Sequence, residues 1–184
     1  MEIIRTSLDG VVELRPTRHG DHRGWLIESY NAESFARLGL ATSWPQDNES
    51  LSAEPGTIRG IHWQANPRPQ AKLIRVTQGA ILDVAVDLRR TSPTFGHHTM
   101  AILSAADRNQ LLIPIGFGHG FCTLEPNTVV TYKLSDHFDA ALDRGIRADD
   151  QTIGIDWPVD LSSATLSEKD RNGPTLSEAT DLFE

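Results

Sequence analysis

The sequence predicts an all-β fold, a sandwich or a closed barrel. From Gln46 onward, short runs rich in apolar and β-branched residues recur at 57–64, 71–78, 80–88, 98–104, 110–114, 119–124 and 128–135. Gly, Pro, Asn or Asp separates most of them, which is the turn chemistry that punctuates antiparallel strands. Nothing in the chain has the strand–helix–strand rhythm of a parallel α/β protein. At 184 residues, with 39% hydrophobic and 23% charged residues, the chain is expected to form one domain over 1–184 with a full core.

Taken in order, Val11-Val12-Glu13-Leu14-Arg15 reads as a strand stopped by Pro16, which cannot donate to a ladder. His19-Gly20-Asp21-His22-Arg23-Gly24 is turn chemistry and leads into a strand, Trp25 to Tyr30. Asn31 is placed to cap a brief helix, Ala32 to Leu38, closed by Gly39. The strand series follows. The last fifty residues are mixed and loop-rich, with one or two helical turns expected.

Composition excludes several classes. A net charge of −8 argues against a general nucleic-acid or membrane-surface binder. No apolar run approaches the ~18 residues of a membrane span, and Met1 to Arg5 has no signal-peptide core, so a cytoplasmic protein is expected. The single cysteine, Cys122, excludes an intrachain disulfide and a cysteine-based zinc site; it reads as core.

The chemistry concentrates in Thr57-Ile58-Arg59-Gly60-Ile61-His62-Trp63-Gln64 and the nearby Gln70-Ala71-Lys72-Leu73. Two cations and a base in about fifteen residues suit an anionic substrate that must lose a proton, one group holding charge while another takes the proton. Within a flat strand Arg59 and His62 have opposite parity. Either Gly60 marks a bulge that resets the alternation, or Arg59 acts from a rim. His119 sits among Gly116, Gly118 and Gly120, consistent with close backbone approach to a ligand or with a tight barrel turn. Tyr132 shares a strand face with Thr128, Val130 and Leu134, so its hydroxyl either satisfies the core or serves as a proton donor in a dry pocket. Asp83 and Asp87 alternate with valines; an inward carboxylate there needs a partner such as His62 or Lys72. His19, His22, His97, His98 and His137 read as solvated.

These residues stand within a longer pattern. Asp21-His22-Arg23-Gly24-Trp25-Leu26-Ile27-Glu28, Gln46-Asp47-Asn48, Ile58 to Gln64, Ser92-Pro93-Thr94-Phe95-Gly96, Ile113 to Phe121, Tyr132-Lys133 and Leu166-Ser167-Glu168-Lys169-Asp170 resemble, in order over residues 10 to 172, the dTDP-4-dehydrorhamnose 3,5-epimerase family. The resemblance implies a double-stranded β-helix (a cupin-type jelly roll) with short peripheral helices, dimeric, without metal or other cofactor. It also implies a dTDP-4-keto-6-deoxyhexose substrate, epimerised beside its ketone. By the same resemblance His62 is the base, Asp170 orients its other ring nitrogen (Asp83 being the alternative), Lys72 stabilises the enolate, and Tyr132 reprotonates from the opposite face. The matched substrate-binding positions are Arg23, Glu28, Gln46, Asn48, Arg59, His119, Asp143 and Lys169, with Arg23 and Glu28 supplied by the neighbouring subunit.

Two positions depart from the family pattern: His137-Phe138 stands where a Tyr-Tyr pair is usual, and Asp143 where Glu is common. Double epimerisation at C3 and C5, as on the route to dTDP-L-rhamnose, is the leading expectation. A single 3- or 5-epimerase for another deoxysugar is the alternative. A metal-dependent cupin fits less well, because neither His62 nor His119 has a histidine partner at i+2. A non-catalytic sugar-binding cupin needs no base opposed to an acid.

Overall fold

The computed structural model describes residues 1–41 and 43–184. Among these residues the strands form two antiparallel sheets and a separate ribbon. The larger sheet has the order β1 (Glu2–Arg5), β2 (Val12–Arg15), β10 (Gln110–Ile113), β7 (Lys72–Gln78), β12 (Thr128–Leu134) and β5 (Gln46–Ser52). The smaller has the order β13 (Asp143–Gly145), β6 (Ile58–Gln64), β11 (Phe117–Thr123), β8 (Ala80–Asp87) and β9 (His98–Ser104). Facing each other, they make the expected cupin-type jelly roll.

Alternation along the strands decides the layers. Inward side chains such as Ile74, Val76, Ile81, Phe117, Phe121 and Val130 fill the space between the sheets. The opposite faces of the strands are apolar too, so each sheet needs a second cover. Ile58, Ile61, Trp63, Val84 and Val86 on the outer face of the smaller sheet pack under the C-terminal segment, through Ile146, Ile153, Trp157, Leu176 and Phe183. Leu14, Leu73 and Leu112 on the larger sheet are covered by Phe35 of helix α1 (Ala32–Arg37). Each such fully buried side chain contributes roughly 1.5–3 kcal/mol by transfer from water. Two indole N–H groups fasten the C-terminal segment: Trp63 Nε1 donates to the Asp181 carbonyl and Trp157 Nε1 to that of Ala148.

The seven strands expected from residue 57 onward, β6 (Ile58–Gln64) to β12, lie within two residues of their expected bounds. Asn31 caps α1 as expected, its Oδ1 accepting from the N–H groups of Glu33 and Ser34, and Gly39 closes it at φ +71. Elsewhere the reading is corrected. The segment 19–24 is not all turn: β3 (Arg18–Asp21) and β4 (Gly24–Ile27) pair as a hairpin, with the turn confined to His22 and Arg23. The strand expected over 25–30 therefore stops at Ile27. Strands β1, β5 and β13 were not resolved by pattern. His98 is not simply solvated, since its Nδ1 lies 3.1 Å from the Ile153 carbonyl.

Candidate active site

A cleft of about 320 Å³ opens between the two sheets, lined in part by Gln46, Asn48, His62, Gln64, Lys72, Tyr132, Phe138, Asp143 and Lys169. Its walls explain why β5 carries so little apolar signal. The inward residues of Gln46-Asp47-Asn48-Glu49-Ser50-Leu51-Ser52 are all polar, and two of them, Gln46 and Asn48, line this space.

His62 reaches the cleft through a bulge. Two residues of β6, Gly60 and Ile61, stand opposite one of β11, Gly120, because His119 pairs with His62 and Phe121 with Arg59. The extra residue restores common parity to Arg59 and His62. Gly60 makes this possible. It has φ +114, and a Cβ there would stand 2.5 Å from the Gly120 Cα and 2.6 Å from the His119 carbonyl oxygen. Arg59 nevertheless does not line the cleft. Its side chain is exposed and donates to Ser52 Oγ and the Leu51 carbonyl, both at 3.2 Å.

Asp170, not Asp83, meets His62. It sits on the short helix α2 (Glu168–Asn172), whose first turn is capped by Ser167. Its Oδ1 lies 2.5 Å from His62 Nε2, and the carboxyl is 5% exposed. Burial alone would raise this carboxyl, but hydrogen bonding to and the nearby charge of His62 outweigh it and hold it below the usual range. An ionised Asp170 can accept from Nε2 and so orients the ring with Nδ1 turned away from the carboxylate. Nδ1 makes no hydrogen bond among the described residues. Tyr132 stands on the other sheet, so imidazole and phenol enter the cleft from opposite walls.

Lys72 lies in the same cleft, its Nζ 3.3 Å from the His62 carbonyl. Part of the residue touches the open mouth, yet the ammonium sits deep among protein atoms. Burial lowers it to about 8, against the pull of Asp143 and Asp83. It is therefore a cation at neutral pH, in a setting where a fixed charge acts strongly.

Asp83 pairs instead with His119, its Oδ1 2.7 Å from His119 Nε2, in a fully buried couple. Burial raises the Asp83 carboxyl and lowers the His119 imidazole, each opposed by the other partner. The second oxygen, Asp83 Oδ2, is buried and unpartnered among the described residues. The pairing joins two strands whose register no local pattern discloses, which is why the sequence left its partner open.

The remaining expected residues divide cleanly. Lys169 and Asp143 form an ion pair at the cleft wall, and Gln46 Nε2 donates to Asn48 Oδ1 at 2.9 Å. Arg23 and Glu28 are not brought to this cleft. Arg23 is exposed at the hairpin turn and bonded to Asp21, while Glu28 accepts from Asn31 and Ser34. Gln64 and Gln70, of which no role is expected from the sequence, also line the cleft, as does Phe138 of the His137-Phe138 pair that departs from the family pattern. For Gln64 the available signal was its spacing of two residues from His62. Among the described residues, no three His, Cys, Asp or Glu side chains converge as a metal cage.

A family model described as dTDP-4-dehydrorhamnose 3,5-epimerase matches residues 5–178. The dTDP-4-dehydrorhamnose 3,5-epimerase of Sinorhizobium fredii is 44% identical over 178 residues, covering 97% of this chain and 91% of its own. The crystal structure of the Bacillus anthracis enzyme of that name, with TDP and pyrophosphate bound, superposes with a TM-score of 0.91 at 49% identity, covering 95% of this chain and 98% of its own. The Legionella pneumophila enzyme in complex with dTDP-4-keto-L-rhamnose gives 0.92 at 36% identity, covering 97% and 94%. A dTDP-4-dehydrorhamnose 3-epimerase of Streptomyces niveus is less similar, at 34% identity over 98% of this chain and 86% of its own.

Proposed function

Since this chain belongs to the dTDP-4-dehydrorhamnose 3,5-epimerase family, we infer that it inverts C3 and C5 of a dTDP-4-keto-6-deoxyhexose, the step that serves dTDP-L-rhamnose formation. A single-carbon epimerase is the weaker reading, because the match to the named 3-epimerase is the lower one. One observation carries the chemistry: His62, anchored by buried Asp170, opposes Tyr132 across a cleft that also holds the Lys72 ammonium.

The ketone at C4 acidifies the protons at C3 and C5. His62 Nδ1 takes one of them, and the electron pair moves onto the C4 oxygen as an enolate. The Lys72 ammonium stabilises that oxygen, where a preorganised charge in a partly dry site is worth most. Tyr132 then delivers a proton to the carbon from the opposite face, and the centre is inverted. His62 ends the step protonated and Tyr132 deprotonated. Both exchange with solvent before the second carbon reacts, so each inverted carbon acquires a solvent proton.

Gln46, Asn48, Arg59, His119, Asp143 and Lys169 are assigned to holding the nucleotide sugar. We assign Arg23 and Glu28 to the site of a second copy in a homodimer. The β3–β4 hairpin supports this reading, since it carries Trp25 at 42% and Leu26 at 67% exposure on a two-stranded ribbon that gains little stability alone. A mixture of Arg23→Ala and His62→Ala chains is then expected to regain activity after subunit exchange, because each hybrid has one complete site. The sheets and their two covering segments favour one functional unit over 1–184, and a nucleotide-sugar substrate favours a cytoplasmic location. No helix among the described residues is long and apolar enough to cross a membrane.

Incubation with dTDP-4-keto-6-deoxy-D-glucose in D2O, followed by NMR and mass spectrometry, tests the reaction. Deuterium at both C3 and C5, abolished by His62→Ala, is the expected result. Label at one carbon identifies a mono-epimerase, and label at neither refutes the assignment for this substrate.

A further inference from the structure

Gln64 follows His62 by two residues on the same inward face of β6 and is 3% exposed. None of the roles assigned above uses it. Its carboxamide is nonetheless committed: Nε2 donates to the carbonyls of Arg68 and His137 at 2.5 and 3.1 Å, and Oε1 accepts from the Asp139 N–H at 2.8 Å. Two other glutamines of the cleft reach the same turn. Gln46 Oε1 accepts from the Phe138 N–H at 2.8 Å, and Gln70 Nε2 donates to the Asp136 carbonyl at 2.8 Å. Four consecutive residues, 136 to 139, thus each give one backbone group to a glutamine side chain.

Surface turns ordinarily leave such groups to water and stay mobile. This turn directly follows β12, which carries Tyr132, and it holds Phe138 in the cleft wall with 52% of that residue exposed. We propose that Gln64 is a positioning residue: its carboxamide ties the strand of the base to the 136–139 turn, fixes the mouth of the cleft, and so sets where the sugar ring rests relative to His62. This rests on the epimerase reading and adds to it a determinant of which carbon is reached. Only a carboxamide offers two donors and an acceptor here. A glutamate would face the Arg68 and His137 carbonyls with a second acceptor, losing both bonds and adding repulsion.

The test compares wild type, Gln64→Met and Gln64→Glu on dTDP-4-keto-6-deoxy-D-glucose in D2O, reading kcat, KM and the ratio of deuterium at C3 to that at C5. Folding of each variant is checked by circular dichroism. The expected result is a KM raised about tenfold, a smaller fall in kcat, and a changed C3:C5 ratio. A merely structural role would lower the amount of active protein and leave KM and the ratio alone. Folded variants with wild-type KM and ratio overturn the proposal. Should both variants unfold, Gln70→Ala removes one tether without touching β6 and is expected to move the ratio in measurable degree; an unchanged ratio there overturns the proposal. Wild-type protein that takes up no label overturns the epimerase reading and this proposal with it, whereas labelled wild type with unaltered variants overturns the role of Gln64 alone.

Discussion

Replacing Lys72 by Met is expected to make the protein more stable and nearly inactive. The folded state holds the ammonium at about 8 rather than its ordinary 10.5, chiefly because burial disfavours the charge. That depression corresponds to about 3 kcal/mol of destabilisation at neutral pH. Methionine keeps the stem's packing but forgoes the long bond to the His62 carbonyl, so a net gain of about 2 kcal/mol remains. In a chain of this size that raises Tm by roughly 4–8 °C. The sign has a pH signature. Below about 8 both folded and unfolded chains carry the proton, and the folded state bears the whole penalty. Between about 8 and 10.5 the folded state releases its proton first, so wild type recovers and the difference closes. Urea unfolding of both proteins at pH 7 and pH 10, at one protomer concentration, measures this. A variant no more stable than wild type at pH 7, or a gap of the same size at pH 10, refutes the reasoning. Turnover should fall by about 10²–10³ with loss of the enolate's counter-charge, and wild-type activity should decline above about pH 8 as Lys72 deprotonates.

Asp170→Asn keeps the shape of α2 but takes the ionised acceptor from His62 Nε2; kcat is expected to drop about 10²–10⁴-fold with little change in KM, read by steady-state kinetics. Gly60→Ala forces a Cβ into the Gly120 backbone at a positive φ, so a loss of about 2–4 kcal/mol and displacement of His62 are expected, measured by thermal unfolding and residual turnover. Asp87 is opposed by its burial but receives Arg89, Ser92 and Thr94, which hold its carboxyl far below the usual range. Its stabilisation is present above the unfolded value of 3.8 and is lost as pH falls below it. Asp87→Asn should therefore cost about 2–4 kcal/mol at pH 7 and flatten the acid limb of urea midpoints plotted against pH.

Legibility in the sequence followed the physics of burial. Strands with an apolar face, such as β8 and β12, announce themselves, because alternation or a continuous apolar run is what a packed face requires. Strand β5 does not, since its inward residues are polar, Gln46 and Asn48 lining the cleft, and its outward Leu51 is exposed. The hairpin β3–β4 hid for a related reason: neither of its faces is buried in this chain. Gly60 could be suspected from the parity conflict between Arg59 and His62, and the register bears out the bulge. The partners of His62 and His119 were different matters. Both carboxylates, Asp170 and Asp83, lie far along the chain, at separations of 108 and 36 residues, and only the closed sheets decide which meets which.

The separation of 108 residues between His62 and Asp170 also orders events during synthesis. At about 5–20 residues per second, Asp170 follows His62 out of the ribosome by roughly 5–20 s. The strands through β12 are complete in the nascent chain well before α2 exists, so all strands of the two facing sheets but β13 can pair while His62 still lacks Asp170. If His62 is the base, as proposed, newly made chains are expected to pass through an interval in which the fold is largely built but proton abstraction is not yet supported. The C-terminal segment that brings Asp170 also covers Trp63, so on the proposed mechanism the onset of turnover is expected to report the docking of that segment.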